Sequence, residues 1–445
     1  TRRIYIEGFE KIIPHDDEIL HFADGVNRPA VYVGEPLYYH KKKAFGYWSL
    51  PAGNKPAEMW LEEQLDRAFD FYKNEVELRR WYGIFDYGDF MHTYDYIRHT
   101  WKYDMGGFAW QNTELVPTMW LWLMFMRTGR GDVFDIAEAM CRHTADVDVY
   151  HIGKYRGIGS RHNVRHWGCA CKEARIAMAG HHRYYYYLTG DDRIGDVLDD
   201  VKDAESALAS IDPLRYFYNK DEMVYPTHAR SGPDWSSLVS DWMTKWERTQ
   251  DRTYENKIRT GIDDIKKSPL RLISGPDFEF DPESCHLRYI GERAAGGTHL
   301  QICMGAVETW LELSLLLDDG DWNDMLVEYG RFYFLDRESQ LSESNGLIGK
   351  RGFSYPYMAA GIGAYAAKVL GDGELARRVW DVLIRELTRV SPDGFTVSQN
   401  KNVREIPWIS TNFAAQWCLG VILCLDFIRE YLPCDLSEYK GGEKR

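Results

Sequence analysis

No stretch of this chain reaches the roughly 20 uninterrupted apolar residues that a membrane-spanning helix needs, and no hydrophobic leader precedes the first motifs. The chain begins at Thr1 rather than Met, which leaves a removed leader or an upstream domain open. A basic balance is also missing. Asp and Glu outnumber Lys and Arg by 68 to 54, a formal net charge of -14, whereas a general nucleic-acid binder needs a cationic face to displace counterions from phosphates. Neither RNA nor DNA is expected as a partner, and neither is a membrane. Paired cysteines at zinc-site spacing are absent too: Cys169 and Cys171 form a C-x-C with no second pair, so no metal is assigned there. Cys141, Cys303, Cys418 and Cys424 fall in apolar helical segments, where a free thiol behaves as a small hydrophobe. That usage favours a reducing, cytoplasmic setting over a secreted one.

What is present is a repeat of turns. "RTGRGDVFDIA" around Gly131, "LTGDDRIGDVL" around Gly190, "LDDGDWNDML" around Gly320 and "VLGDGELARRV" around Gly371 resemble one another, and "RTQDRTYENKI" around Gln250 is a degenerate copy. Such spacing points to a repeated two-helix unit. Each Gly ends one helix in a left-handed conformation, and the following Asp caps the next. After the turns the helices are amphipathic, with Val133, Ile136, Ala137, Met140, Cys141 and Thr144 on one face, and Ile194, Val197, Leu198, Val201 and Leu208 on another. Before the turns they are apolar almost all round, as in "ELVPTMWLWLMFM" and "WISTNFAAQWCLGVILCLDFI", and so must be buried on every side. Five hairpins, plus an early helix from about Ala57 to Arg80 paired with a last inner helix from about Ile409 to Tyr431, predict an all-α (α/α)6 toroid. Its span is 57–432, between a short irregular N-terminal segment (1–56, a linker or the tail of a β domain) and a C-terminal tail (433–445).

Inner-to-outer connections are tight, but outer-to-inner ones are long: about 81–113, 148–171, 212–234, 268–297, 336–354 and 390–408. Long connections in a compact domain are usually functional, and these six share one face of the ring. The second contains "GSRHNVRHWGCACK", a run of Arg161, His162, Arg165, His166 and Lys172 without one acidic residue. At the entrance of an inner helix, whose first turn adds partial positive charge, this stretch suits an acidic ligand. Pairing of these arginines with Asp86, Asp89, Asp95 and Asp104 of the neighbouring connection is the competing reading. Lys350 and Arg351 in "GLIGKRGFSYPY" repeat the pattern of cations before an inner helix, with Tyr355 beside them.

"WYGIFDYGDFMHTYD", "GGFAWQNTE", "DVDVYHIG", "GSRHNVRHWGC" and "HHRYYYYLTGD" resemble the C-terminal toroid domain of the exo-rhamnogalacturonan lyase-like proteins, the PcRGLX/YetA-like group of polysaccharide lyase family 26. The likeness runs from about residue 57 to 432. It implies elimination at an acidic sugar of a rhamnogalacturonan-like pectic glycan, giving an unsaturated uronate, and β-sheet domains before the toroid that this chain does not contain in full.

Such an elimination needs three roles filled: neutralising the carboxylate, taking a weakly acidic ring proton, and protonating the leaving oxygen. Arg161, Arg165 and Asn163 suit the first, the arginines through a bidentate fork. His162 or His166 suits the second, and His92 or a tyrosine the third. Trp110, Asn112, Lys350, Arg351 and Tyr355 are candidate substrate contacts. A glycoside hydrolase acting on uronate-containing oligosaccharides through a carboxyl pair among Asp86, Asp89 and Asp104 stays open. So does a catalytically silent carbohydrate-binding toroid. No cofactor is required, with a divalent cation such as calcium left open.

Overall fold

The computed structural model describes residues 15–27, 31–83, 86–91, 94–95, 97–101, 116–159, 176–291, 299–390, 394–395, 409 and 411–440. The N-terminal segment is irregular over 31–35 and 42–55, as expected, but carries two helices, α1 (Asp16–Asn27) and α2 (Pro36–Lys41). Next come α3 (Pro56–Arg79) and a first hairpin, α4 (Pro117–Thr128) and α5 (Gly131–Asp146). The second pairs α6 (Arg183–Thr189) with α7 (Asp192–Val201), which α8 (Glu205–Leu208) continues after a break. The third is α9 (Ser237–Thr249) with α10 (Arg252–Lys266). A short α11 (His299–Ile302) leads into α12 (Ala306–Leu317) and α13 (Gly320–Tyr333), followed by α14 (Arg337–Glu343). The fifth hairpin is α15 (Ala360–Leu370) with α16 (Gly373–Val390). Finally α17 (Thr411–Phe427) packs on both α4 and α3, closing the ring, and a one-turn α18 (Ser437–Lys440) follows.

Inner helices are therefore α4, α6, α9, α12, α15 and α17: α9 packs on α12, α12 on α15, α15 on α17 and α17 on α4, while α4 and α9 both meet the turn at 179–181 that leads into α6. Burial is most complete in α4, where every residue from Pro117 to Arg127 is buried as its all-round apolar sequence requires, whereas α6 buries Arg183, Tyr184 and Tyr185 and leaves Tyr187 partly exposed. The outer helices bury one stripe, Ile194, Val197, Leu198 and Val201 in α7. Proline at the first helical position, where no intrahelical N–H bond is lost, starts α2, α3 and α4.

Strands were not foreseen, and among the described residues five short ones occur in the long connections. β1 (Tyr94–Asp95) pairs with β2 (Thr100–Trp101). β3 (Thr227–Arg230), β4 (Asp277–Phe280) and β5 (Leu287–Tyr289) form an antiparallel sheet in the order β3-β4-β5. Opposite neighbours share a face, so His228 and Glu279, and Arg230 and Asp277, lie together on one side, while Ala229, Phe278 and Tyr289 share the other. The alternation was hidden by the brevity of the strands and by their lying in two different connections.

The turn residues need one correction. Left-handed conformations occur at Gly190 (φ 67°) and Gly371 (φ 64°) as expected, but at Gly129 (φ 68°) and Asp318 (φ 46°) rather than at Gly131 and Gly320, which instead open the next helix. Asp191 and Asp372 cap as expected, accepting from the Ile194 and Leu375 N–H groups at 3.0 Å each, whereas after α12 it is Asp319, ahead of Gly320, rather than Asp321 that caps, accepting from the Trp322 N–H at 3.0 Å. In the first turn Arg130 replaces the capping Asp, and no side chain caps the helix.

The closed end of the ring is filled by residues that precede α3. Phe45 lies 4.3 Å from the Tyr184 ring of α6, and Tyr47 lies 4.8 Å from Phe427 of α17 and 6.2 Å from Tyr365 of α15. Between them Gly46 has φ 85° and sits so near α12 that an added Cβ would come within 3.2 Å of Glu312 Cβ. Arg127, at the end of α4 and fully buried, donates to the carbonyls of Ser49 (3.0 Å) and Leu50 (3.2 Å) and to both oxygens of Glu62 in α3 (2.7 Å). One guanidinium thus joins the plug to the first inner and first outer helices.

Gln250 occupies the left-handed site of the degenerate turn (φ 59°), and Asp251 accepts from the Thr253 N–H at 2.9 Å. Gln250→Gly should raise the unfolding free energy by about 0.5–1 kcal/mol and Asp251→Ala should lower it by about 1 kcal/mol, read by urea titration. Destabilisation by the glycine would mean that the Gln250 Nε2 bond to the Glu247 carbonyl (3.3 Å) outweighs the backbone strain.

Candidate active site

The inner helices all begin on the face that carries the long connections, and their entrances meet on the ring axis. Met119 of α4, Met178 before α6 and Gly305 before α12 form an apolar floor: a Cβ on Gly305, which has φ 78°, would come 2.9 Å from Met119 Sδ and 3.1 Å from Met178 Cε. Arg161, His162, Asn163, Arg165, His166, His92, Trp110, Asn112 and Asp104 lie outside the described residues, as do Cys169, Cys171 and Lys172. Other parts of the connections are described.

Where the first and second connections leave their helices, Asp89, His143 of α5 and Asp148 are buried together. His143 Nε2 lies 3.5 Å from Asp89 Oδ2 and 3.6 Å from Asp148 Oδ2, with both carboxylates about 2% exposed. Burial alone would lower the imidazole's pKa, but the two carboxylates, Asp148 foremost, outweigh it and hold the value above 6.5. Asp89 therefore lies in a buried contact with His143, with its carboxyl about 2% exposed. Asp95 pairs with Arg98 of its own connection at 2.8 Å, a bond that holds its carboxyl at about 2. Asp86 is half-buried with Oδ1 sealed from solvent.

The third to fifth connections build a wall on the polar face of the β3-β4-β5 sheet. His228 Nδ1 donates to the Asp212 carboxylate (2.8 and 2.9 Å), and the Tyr218 ring lies 5.2 Å from the imidazole. Tyr218 in turn donates its hydroxyl to Asp277 at 3.0 Å. Burial raises the Asp277 pKa, opposed by Tyr218, Arg230, His228 and Arg351. Lys350 and Arg351, expected to act together, turn apart. The Arg351 guanidinium runs under the wall to the carbonyls of Ile273 (3.2 Å), Ser274 and Gly291 (3.4 Å) and to the Tyr289 hydroxyl (3.2 Å). Lys350 instead lines a 490 Å³ groove with Arg337, Arg378 and Asp381, between the fifth connection and the outer helix α16. Four acceptors on Arg351 make it a brace between connections, so the two residues do not share an anion site. Tyr355 is half exposed at the entrance of α15 and meets His299, at the start of α11, edge to face at 5.5 Å.

Charges also line the axis below the floor. Arg183 of α6 reaches Glu312 of α12 and Glu247 of α9, each at 2.8 Å. Since α9 separates α6 from α12 around the circle, the bond to Glu312 crosses the axis. Glu308, one turn nearer the mouth on the same face of α12, therefore also faces inward. Burial lifts its carboxyl to about 7. His181 and His182, by contrast, are forced down to about 3 by burial, which keeps both neutral and leaves them no role as proton donors near neutral pH. No cluster of three or more His, Cys, Asp or Glu suited to a metal occurs among the described residues, and no helix among them is long and apolar enough to cross a membrane.

Six long connections over one mouth of a six-hairpin ring agree with a comparison to known domains. Residues 29–433 match the model of the PcRGLX-like protein C-terminal alpha/alpha toroid domain. The chain belongs to this family. It is also 51% identical over 446 residues to the uncharacterized protein YetA of Bacillus subtilis (strain 168). That match takes in 99% of this chain and 52% of YetA, so the chain spans about half the length of the curated relative.

In this PcRGLX-like toroid, sequence reading missed Glu308, Glu312 and the Asp212–His228 pair. The first two had a usable signal: glutamates four residues apart in the otherwise apolar "AVETWLELSLLL" mark the axial face of an inner helix. Two pH-dependent outcomes follow from the buried groups. Glu308 has a raised folded-state pKa, so the stability it contributes is present below about 4.5 and is lost as pH rises through about 7. Glu308→Gln should therefore gain on the wild type by about 1–3 kcal/mol between pH 5 and pH 8, read by urea unfolding. For His143 the raised value means stability fully present below pH 6.5 and lost as pH climbs through the folded pKa. His143→Ala should cost about 3–5 kcal/mol at pH 6, with the gap narrowing in alkali. A gap independent of pH would show that the imidazole is already neutral.

Proposed function

We propose that this toroid is the catalytic-type domain of a polysaccharide lyase that cleaves an acidic, rhamnogalacturonan-like glycan by β-elimination at a uronic acid. Membership of the PcRGLX-like toroid family carries the reading, since the family name points to rhamnogalacturonan lyase chemistry. A ring plugged at one end and carrying its long connections at the other offers a single cleft for a saccharide. In that cleft Arg161, Arg165 and Asn163 neutralise the uronate carboxylate, which makes the neighbouring ring proton more acidic. His162 or His166 takes that proton, a carbon–carbon double bond forms as the glycosidic carbon–oxygen bond breaks, and His92 protonates the departing oxygen. An adjoining domain on the N-terminal side completes the cleft by excluding water and positioning the sugar.

Incubation with rhamnogalacturonan should produce the ultraviolet absorbance of an unsaturated uronate, weakly for this toroid alone and strongly once a β-sheet domain of the family is supplied. New reducing ends without that absorbance would indicate hydrolysis and overturn the reading. Arg165→Ala should weaken uronate binding by about 1.5–3 kcal/mol, the worth of a hydrogen bond to a charged group, and leave neutral sugars unaffected. In calorimetric titrations, equal losses for both sugars would remove Arg165 from the carboxylate site.

A further inference from the structure

Between the third connection and the β3-β4-β5 sheet lies a cavity of 330 Å³, at the low end of the size range for small-molecule sites. Its most unusual lining group is His228, which is 0% exposed. A carboxylate only accepts hydrogen bonds, so the 2.8 and 2.9 Å contacts with Asp212 place a proton on Nδ1, and in the neutral ring Nε2 is then an acceptor. Nε2 has no partner among the described residues. A buried acceptor left unmade is costly, and a ligand hydroxyl would satisfy it.

The rest of the lining defines the ligand. Glu279 is fixed by Arg288 and by the N–H groups of Val224 (2.9 Å) and Tyr225 (3.0 Å). With Glu222 beside it, the cavity holds two carboxylates against the single guanidinium of Arg288, a balance that opposes an anionic guest. Met223, Pro269 and Ile290 supply apolar surface for C–H groups.

We propose that this cavity is a binding site for one neutral pyranose ring, with a ring hydroxyl donating to His228 Nε2. It is distinct in charge from the uronate chemistry of the cationic second connection, and binding here is read without turnover.

The test is a titration of the protein, carrying isotope-labelled histidine, with L-rhamnose and with D-galacturonate. The His228 resonance is identified by its loss in His228→Gln. L-Rhamnose should shift that resonance saturably, and D-galacturonate should bind at least about tenfold more weakly. By calorimetry His228→Gln should weaken L-rhamnose about tenfold. Met223 lies at the half-buried rim and outside the buried network, so Met223→Trp should keep the fold, fill the cavity and abolish the shift. The proposal is overturned by no saturable shift with L-rhamnose, by D-galacturonate binding as tightly, or by unchanged binding in Met223→Trp. Lyase activity without L-rhamnose binding would overturn this site alone, and L-rhamnose binding without lyase activity would leave it standing.

Discussion

A ring of six helical hairpins has a hole along its axis, and the rest of this fold depends on how that hole is filled. Hydrophobic side chains of the inner helices cannot close it alone, because they must also pack sideways against their neighbours. The chain closes it in layers. Met119 and Met178 meet Gly305 at the mouth, the Arg183–Glu312 pair crosses the axis below, and Phe45, Gly46 and Tyr47 cap the far end. Charges placed in the middle layer are expensive to desolvate, which is why Arg183 has two carboxylates rather than one. Among the described residues Glu308 has no such cation beside it, and burial lifts its carboxyl to about 7 instead.

The architecture was legible because its signals are local and repeated. A Gly or other left-handed residue followed by a capping Asp, with an all-apolar helix before it and an amphipathic one after it, identifies a hairpin without any knowledge of its neighbours. The same locality explains the misses. Which residue of "LDDG" turns left-handed depends on where the incoming helix runs out of packing, and Asp318 rather than Gly320 takes that conformation. The three-stranded sheet draws its strands from two connections, so no single window displays it. Residues 44–50 contain no repeat at all and fill a space that exists only after the ring has closed.

The site was legible in its placement and less so in its partners. Long connections over one face could be read from their lengths. The separation of Lys350 from Arg351 could not, because it is decided by carbonyls of residues 273, 274 and 291, which carry no side-chain signature. Asp89 shows the same limit: as one of several acids in a glycine-containing loop it looks available, whereas it lies buried against His143, 54 positions away on a different element.

The direction from which the backbone reaches the plug sets a tethering constraint. Val33 lies against Gly129, and His40 bonds Asp426 at 3.2 Å, both at the end of the ring opposite the mouth. The chain from Val33 to His40 is thus anchored at the end of the ring opposite the mouth. The inner helix α17, of 17 residues, makes the ring roughly 25 Å deep at 1.5 Å per residue. Chain ahead of Val33 has at least that height to cover along the outside of the ring before it can contribute to the mouth. The polar outer faces of the helices, rather than the axis, are then its track.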